Sequence, residues 1–340
     1  MGLAKKLKNN TRNQHYISQY EQKFNSINPA DGRSQRKIYS FSIKNSESLD
    51  LILDHPFGTK IENNLSSKDL YTFEKLDSEN SENRYNFELF FKKYEDRLYN
   101  LTASLIEKTR EGIEAYISNE LREIFALKLL NSFRNPYRIK ATLEIIGVLS
   151  KYRPVDESSN NIYQKIEQNR NDYSKSIAEE FGVNEDEYIQ WIKSLFILLC
   201  LDIKENKNIL DLLIENVFNS KQIRVDIDYY ADKNSENYVV LPDTGYVKIC
   251  PNPTSLIYQF NLSATILLSY IIQEVNMTEF AQSEFNMPRE DIQKIISQIT
   301  NIHYQTRINN LETLSEFNKL AISQSHSKVF CKGKTIYLGN

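Results

Sequence analysis

Gln222-Ile223-Arg224-Val225-Asp226-Ile227 opens a run of sequence that reads as sheet. Apolar Ile223, Val225 and Ile227 fall on every second position, the period of a strand with one face on a core. Tyr238-Val239-Val240, Tyr246-Val247-Lys248-Ile249 and Leu256-Ile257-Tyr258 follow before Phe260, each rich in β-branched or aromatic residues and bounded by turn residues. Upstream the period changes to threes and fours. From Asn83 to Ile117, Phe87, Phe90, Phe91, Tyr94, Leu98, Leu101 and Leu105 mark a long amphipathic helix. A second helix is predicted from Asn119 through Leu130, and Asn135-Pro136 interrupts it because the residue before a proline resists the α conformation. A third restarts near Arg138, and others are predicted over Gln164 to Phe181, Glu185 to Leu201 and Ile209 to Phe218.

Toward the N-terminus, Asn28 to Gly32 reads as a turn, Arg36 to Ile43 alternates as a strand, and Leu70-Tyr71-Thr72-Phe73 is a second short apolar run. Toward the C-terminus a last helical part is predicted from Arg289 to Leu320. Lys328-Val329-Phe330-Cys331 and Thr335-Ile336-Tyr337-Leu338 then read as a hairpin around Gly333. The expected fold is α+β and predominantly α-helical: a helical body with a small mixed or antiparallel sheet built from N-terminal, late-middle and C-terminal strands. One domain, 1–340, would interleave a mixed region (1–82), the helical body (83–220), a β region (221–262) and C-terminal helices with a terminal hairpin (263–340).

The chain has 340 residues, 40% hydrophobic and 26% charged, with only 9 glycines, the profile of a packed protein. Its formal net charge of -3 means that attraction to nucleic acid must come from a local basic patch. Lys5, Lys6, Lys8 and Arg12 offer one, although terminal charge runs are usually solvated. Cys200, Cys250 and Cys331 lie far apart without disulfide or zinc spacing, which suits a reducing, cytoplasmic compartment. The apolar runs Ser194 to Leu201 and Ser263 to Ile272 fall short of a membrane span, so no membrane is expected. The four histidines lack metal-ligand spacing and no phosphate-binding glycine loop is present, so neither a metal nor a cofactor is expected.

Candidate chemistry gathers in a scattered set. His15 and Gln19 lie four apart with Tyr16 beside them, on one face if Ile17 to Phe24 are helical. Glu88 and Glu95 sit on the long helix, Arg134 and Arg138 flank the Asn135-Pro136 break, and Asp243 falls in Pro242-Asp243-Thr244-Gly245. Asp-Thr-Gly also spells half of an aspartic-protease dyad, but Asp and Gly suit a tight turn between strands better. If His15 met a carboxylate and an arginine, His15, Tyr16, Gln19, Arg134, Arg138 and Asp243 could do acid and base work on a phosphodiester, with His15 near its working pKa. The competing reading is structural: His15 and Tyr16 satisfy backbone groups, and Arg134 pairs with Glu88 or Glu95 to lock two helices.

His15, Tyr16 and Gln19, with Lys23 at a basic position, resemble the opening His-Tyr-x-Pro-Gln-x-x-Leu-(Arg/Lys)-x-Phe of the domain-of-unknown-function 4238 family, mostly bacterial proteins. Ser18 stands for the proline, Gln22 for the leucine, and Phe24 is displaced by one. Ile38 to Phe41, Leu70 to Phe73, Arg134-Asn135-Pro136 with Arg138, and Asn318 and Ala321 before Val329-Phe330 are similar to later segments of that family in the same order. Asp243 stands where the family has a Ser-Asp-x-Pro turn. The resemblance implies a bacterial protein and a link to phage defence, and it brings almost no activity with it. Two functions are therefore expected as alternatives: a nuclease-like effector acting on nucleic acid, or a non-catalytic protein-interaction or scaffold protein.

Overall fold

The computed structural model describes residues 3–75, 84–111, 117–170, 172–204, 207–220, 222–230, 237–273, 288, 290 and 302–339. In chain order its described helices are α1 (Leu3–Leu7), α2 (Gln19–Phe24), α3 (Glu88–Glu111), α4 (Ser118–Phe133), α5 (Ile139–Ile146), α6 (Glu157–Glu167), α7 (Asp172–Glu180), α8 (Glu185–Cys200), α9 (Ile209–Ser220) and α10 (Leu311–Gln324). The main strands are β1 (Lys37–Asn45), β2 (Asp50–Leu53), β3 (Gln222–Tyr229), β4 (Leu241–Pro242), β5 (Val247–Asn252), β6 (Ser255–Ser263), β7 (Ile266–Gln273), β8 (His303–Ile308) and β9 (Lys328–Cys331).

Two five-stranded sheets organise the chain, which corrects the expectation of a helix-dominated fold with one small sheet: the fold is mixed α+β. One sheet runs β4-β9-β1-β2 with Thr59–Lys60 added against β1, and all its pairs are antiparallel. The other runs β5-β6-β7-β3-β8, antiparallel except for the parallel pair β3 and β8. The turn at Pro242 to Gly245 therefore joins strands of different sheets. Gly245 takes a φ of 83° there and its N–H donates to the Pro242 carbonyl at 3.0 Å, a conformation that a side chain would strain.

The largest misreading falls on β7. Ile266, Leu267, Leu268 and Tyr270 are all fully buried, so the strand is covered on both faces and shows no alternation. Leu268 and Tyr270 join the main core with α3, α4 and α8, whereas Leu267 joins a second core with β1, β9 and α10. A continuous apolar run of this kind cannot be told from buried helix by period. Of the helical part expected from Arg289 to Leu320, His303–Ile308 forms strand β8 and Leu311–Gln324 forms α10, while 289 and 291–301 lie outside the described residues. Lys328–Cys331 forms no hairpin with residues 335–338; it pairs instead with β1 and β4. Tyr238 to Val240 carries no strand before β4, and the helix expected from Gln164 to Phe181 is broken between α6 and α7.

The helical layer follows its sequence more closely. A capping box starts α8, with the Asn184 side chain accepting from Glu187 N and the Glu187 carboxylate accepting from Asn184 N, each at 2.9 Å. Trp191 on that helix is fully buried and donates its indole N–H to the Phe133 carbonyl at 2.7 Å, tying α8 to the end of α4. Asn135 caps the single turn after α4 by accepting from Tyr137 N at 3.0 Å, with Pro136 at its first position. Among the described residues no helix is long and apolar enough to cross a membrane.

Candidate functional site

His15 ends a short strand, Asn13–His15, paired with Ser66–Lys68, and helix α2 starts only at Gln19 with Ser18 as its cap. The two side chains still meet: His15 Nε2 lies 3.3 Å from Gln19 Nε2, and Arg33 Nε donates to Gln19 Oε1 at 2.7 Å. Burial, with the nearby charges of Arg134 and Arg33, lowers the His15 pKa to about 4, so the ring is neutral at pH 7 and not poised for proton transfer there. This corrects the expectation of a histidine near its working pKa.

That shift has a signed consequence for stability. Between about pH 6.5 and about pH 4 an unfolded chain takes up a proton that the folded ring refuses, so His15 makes the fold weaker as pH falls through that window. His15→Gln is expected to narrow the difference between urea midpoints measured near neutrality and near pH 5. An unchanged difference would mean that the ring titrates normally in the folded chain.

Tyr16 is buried edge-on against Tyr137, with ring centroids 5.7 Å apart. Burial drives the Tyr16 pKa upward, with Tyr137 and Asp243 adding to it. Tyr137 also stacks on His326 at 4.2 Å and packs against Phe181 at 5.2 Å. Arg134, 1% exposed at its side chain, donates through Nη1 to Glu95 Oε1 at 2.7 Å and lies 4.9 Å over the Phe91 ring. The helix-locking pair is thus Arg134 with Glu95. Glu88 lies in the same field, and burial plus the Glu95 charge pushes it up to about 8 against the pull of Arg134.

Arg138 donates to the Tyr246 hydroxyl at 2.5 Å with its guanidinium 5.0 Å over that ring. The Asn135 amide donates to the Asp243 carbonyl at 2.8 Å. The Asp243 carboxylate accepts from the N–H groups of His326, Ser327 and Lys328 at 2.8 to 2.9 Å and from the Ser327 hydroxyl at 3.3 Å. Burial pushes its pKa up while those three N–H donors pull it down. His15, Tyr16, Arg134, Arg138 and Asp243 therefore gather around the Arg134 to Arg138 turn. Each has a partner within the fold, although the buried Nε and Nη2 of Arg134 and Nε of Arg138 have no hydrogen-bond partner.

Two buried charge clusters escaped the sequence reading. Glu21 of α2 accepts from Lys128 and Asn131 of α4, and Lys128 Nζ also donates to the Asn261 carbonyl of β6 at 2.7 Å. On β3, Asp228 receives both nitrogens of Arg307 at 2.8 and 2.6 Å, and Asp226 receives Gln305 at 2.9 Å and Arg224 at 3.1 Å. The second cluster had a signal. Asp226 and Asp228 alternate with Val225 and Ile227, and two acids on one face of a strand need cations beside them when that face is covered. Among the described residues no three His, Cys, Asp or Glu side chains group so as to hold a metal ion.

A groove of about 960 Å³ lies elsewhere, between α1, α3, the start of α6, the end of α8 and the start of α9. None of the six residues picked from the sequence lines it. Its walls carry Leu89, Val155 and Ile203, which are exposed, Val155 completely so. Lys6 of α1 and Lys93 of α3 line it with positive charge, and Asp156, Asp202 and Asp211 with negative charge. No protein-family model matches the chain, and neither does any curated protein or solved structure.

Proposed function

We propose that the chain is a non-catalytic interaction protein and that its groove receives an amphipathic helix from a protein partner. The observation that carries this reading is the exposure of Leu89, Val155 and Ile203 along a groove of about 960 Å³ that is lined by charges of both signs. Apolar side chains left open together in one groove are what a partner surface needs. A volume of about 960 Å³ has room for several side chains, as a partner helix presents at i, i+3 or i+4 and i+7. Acidic residues on one flank of that helix would meet Lys6 and Lys93, and basic residues on the other would meet Asp202 and Asp211.

The pairing of Arg134 with Glu95, of Arg138 with Tyr246 and of Asp243 with backbone N–H groups favours this reading over cleavage of nucleic acid. Membership of the domain-of-unknown-function 4238 family is likewise a proposal, resting on His15, Tyr16 and Gln19 and on the Arg134-Asn135-Pro136 break.

Selection from a displayed library of helical peptides tests the groove. Binders are expected to be amphipathic, with acidic and basic flanks, and to lose roughly tenfold or more in affinity against Val155→Glu or Ile203→Glu. Both side chains are exposed, so the variants should stay within about 0.5 kcal/mol of the parent in stability. Peptides that bind the variants equally well would overturn the reading. So would self-association abolished by Val155→Glu, because the occupant would then be a second copy.

A further inference from the structure

The segment from Ser150 to Asp156 contributes to the groove and to a second recess. Pro154, Val155 and Asp156 line the groove, whereas Ser150, Lys151 and Arg153, earlier in the segment, line a recess of about 330 Å³. Tyr163 and Glu167 of α6 and Lys193 of α8 complete its chemistry. Three cations thus surround one carboxylate, in a chain whose overall charge is negative. A local field opposite to the global one concentrates anions at that point.

The cations are held in place. Lys193 Nζ lies 3.1 Å from Glu167 Oε1 and its side chain is only 12% exposed, while Arg153 Nη2 lies 2.7 Å from Glu167 Oε2. Both cations sit over the Tyr163 ring, at 4.7 Å for Lys193 and 6.0 Å for Arg153. Tyr163 is itself fixed, 1% exposed and donating its hydroxyl to the Ser150 carbonyl. Glu167 therefore bridges a lysine and an arginine with two oxygens, as two oxygens of a phosphate group would. Its side chain is 36% exposed and has water to turn into.

We infer that this recess binds a small phosphate monoester, the phosphate displacing Glu167 from Arg153 and Lys193 and approaching exposed Lys151. The volume suits a phosphate carrying a sugar or nucleoside and falls at the lower end of small-molecule sites. The site is independent of the partner helix proposed for the groove.

Calorimetric titration of the full chain with ribose 5-phosphate and with AMP tests the inference, with inorganic phosphate, sulfate and a short single-stranded oligonucleotide alongside. Saturable binding of a monoester is expected, weakened roughly tenfold or more in Arg153→Gln and Lys193→Met, since each loses a hydrogen bond to a charged group. Glu167→Gln is expected to tighten binding several-fold, because it removes the competing carboxylate and keeps the shape. If Lys193→Met fails to fold, the exposed pair Arg153→Gln and Glu167→Gln carries the test alone. Equal binding of sulfate, phosphate and the monoesters, lost at moderate salt, would mean an adventitious ion only. Tighter binding of the oligonucleotide, or an affinity indifferent to Glu167→Gln, would also overturn the inference.

Discussion

Lys128→Met is expected to cost the fold about 3 to 5 kcal/mol, the largest effect of any single substitution considered for this chain. The Lys128 side chain is 1% exposed and that of its partner Glu21 is 5% exposed, so neither charge has water to fall back on. Without the ammonium, the Glu21 carboxylate would keep only the Asn131 amide and the Ser18 hydroxyl, the latter at 3.3 Å. The Asn261 carbonyl would lose a donor at 2.7 Å as well. Methionine nearly fills the space, so the loss is electrostatic and not a cavity effect. Removing both charges should recover much of the stability, because a buried pair gains little over a packed apolar one while a lone buried charge is costly. Urea denaturation of the two single variants and of Lys128→Met combined with Glu21→Leu measures this. A loss under about 1 kcal/mol in Lys128→Met would show that the carboxylate finds water.

Asp243→Ala is expected to cost about 3 kcal/mol, since it strips the acceptor from three backbone N–H groups at once. Those groups lead into β9, and the Asp243 N–H itself donates to the Lys328 carbonyl at 3.1 Å, so turn and strand hold each other. Asp243→Asn keeps one acceptor oxygen and should lose less. Amide exchange gives the local readout: the Ser327 and Lys328 amides should exchange much faster in Asp243→Ala while the amides of α8 change little. Exchange that rises equally across the chain would instead mark a global loss of stability.

The difference in what could be read from the sequence has a physical origin. Local periodicity is printed in neighbouring residues, so α3, α4, α8 and the alternation of Ile223, Val225 and Ile227 were legible. Arg134 pairing with a glutamate of the long helix was legible too, because an Arg beside a helix break and a Glu on a neighbouring helix have few other partners. β7 was not, because burial on both faces erases the period. Lys128 was not, because what buries it is the carbonyl of Asn261, which belongs to a distant strand. The groove is hidden for the same reason. Its apolar residues come from helices and connections that only the fold brings together, and each taken singly is an ordinary exposed side chain.

Strand β9 sits between β1 and β4, with Val329 opposite both Phe41 and Pro242. The partner of an early strand is thus made 288 residues after it. At about 5 to 20 residues per second, a ribosome needs roughly 15 to 60 seconds to travel from Phe41 to Val329. Throughout that interval β1 can pair only with β2 and Thr59–Lys60, and the edge that will take β9 stands open. The first sheet is therefore completed only once β9 has been made. A growing chain of this protein needs its β1 edge shielded from other nascent chains until residue 331 has emerged.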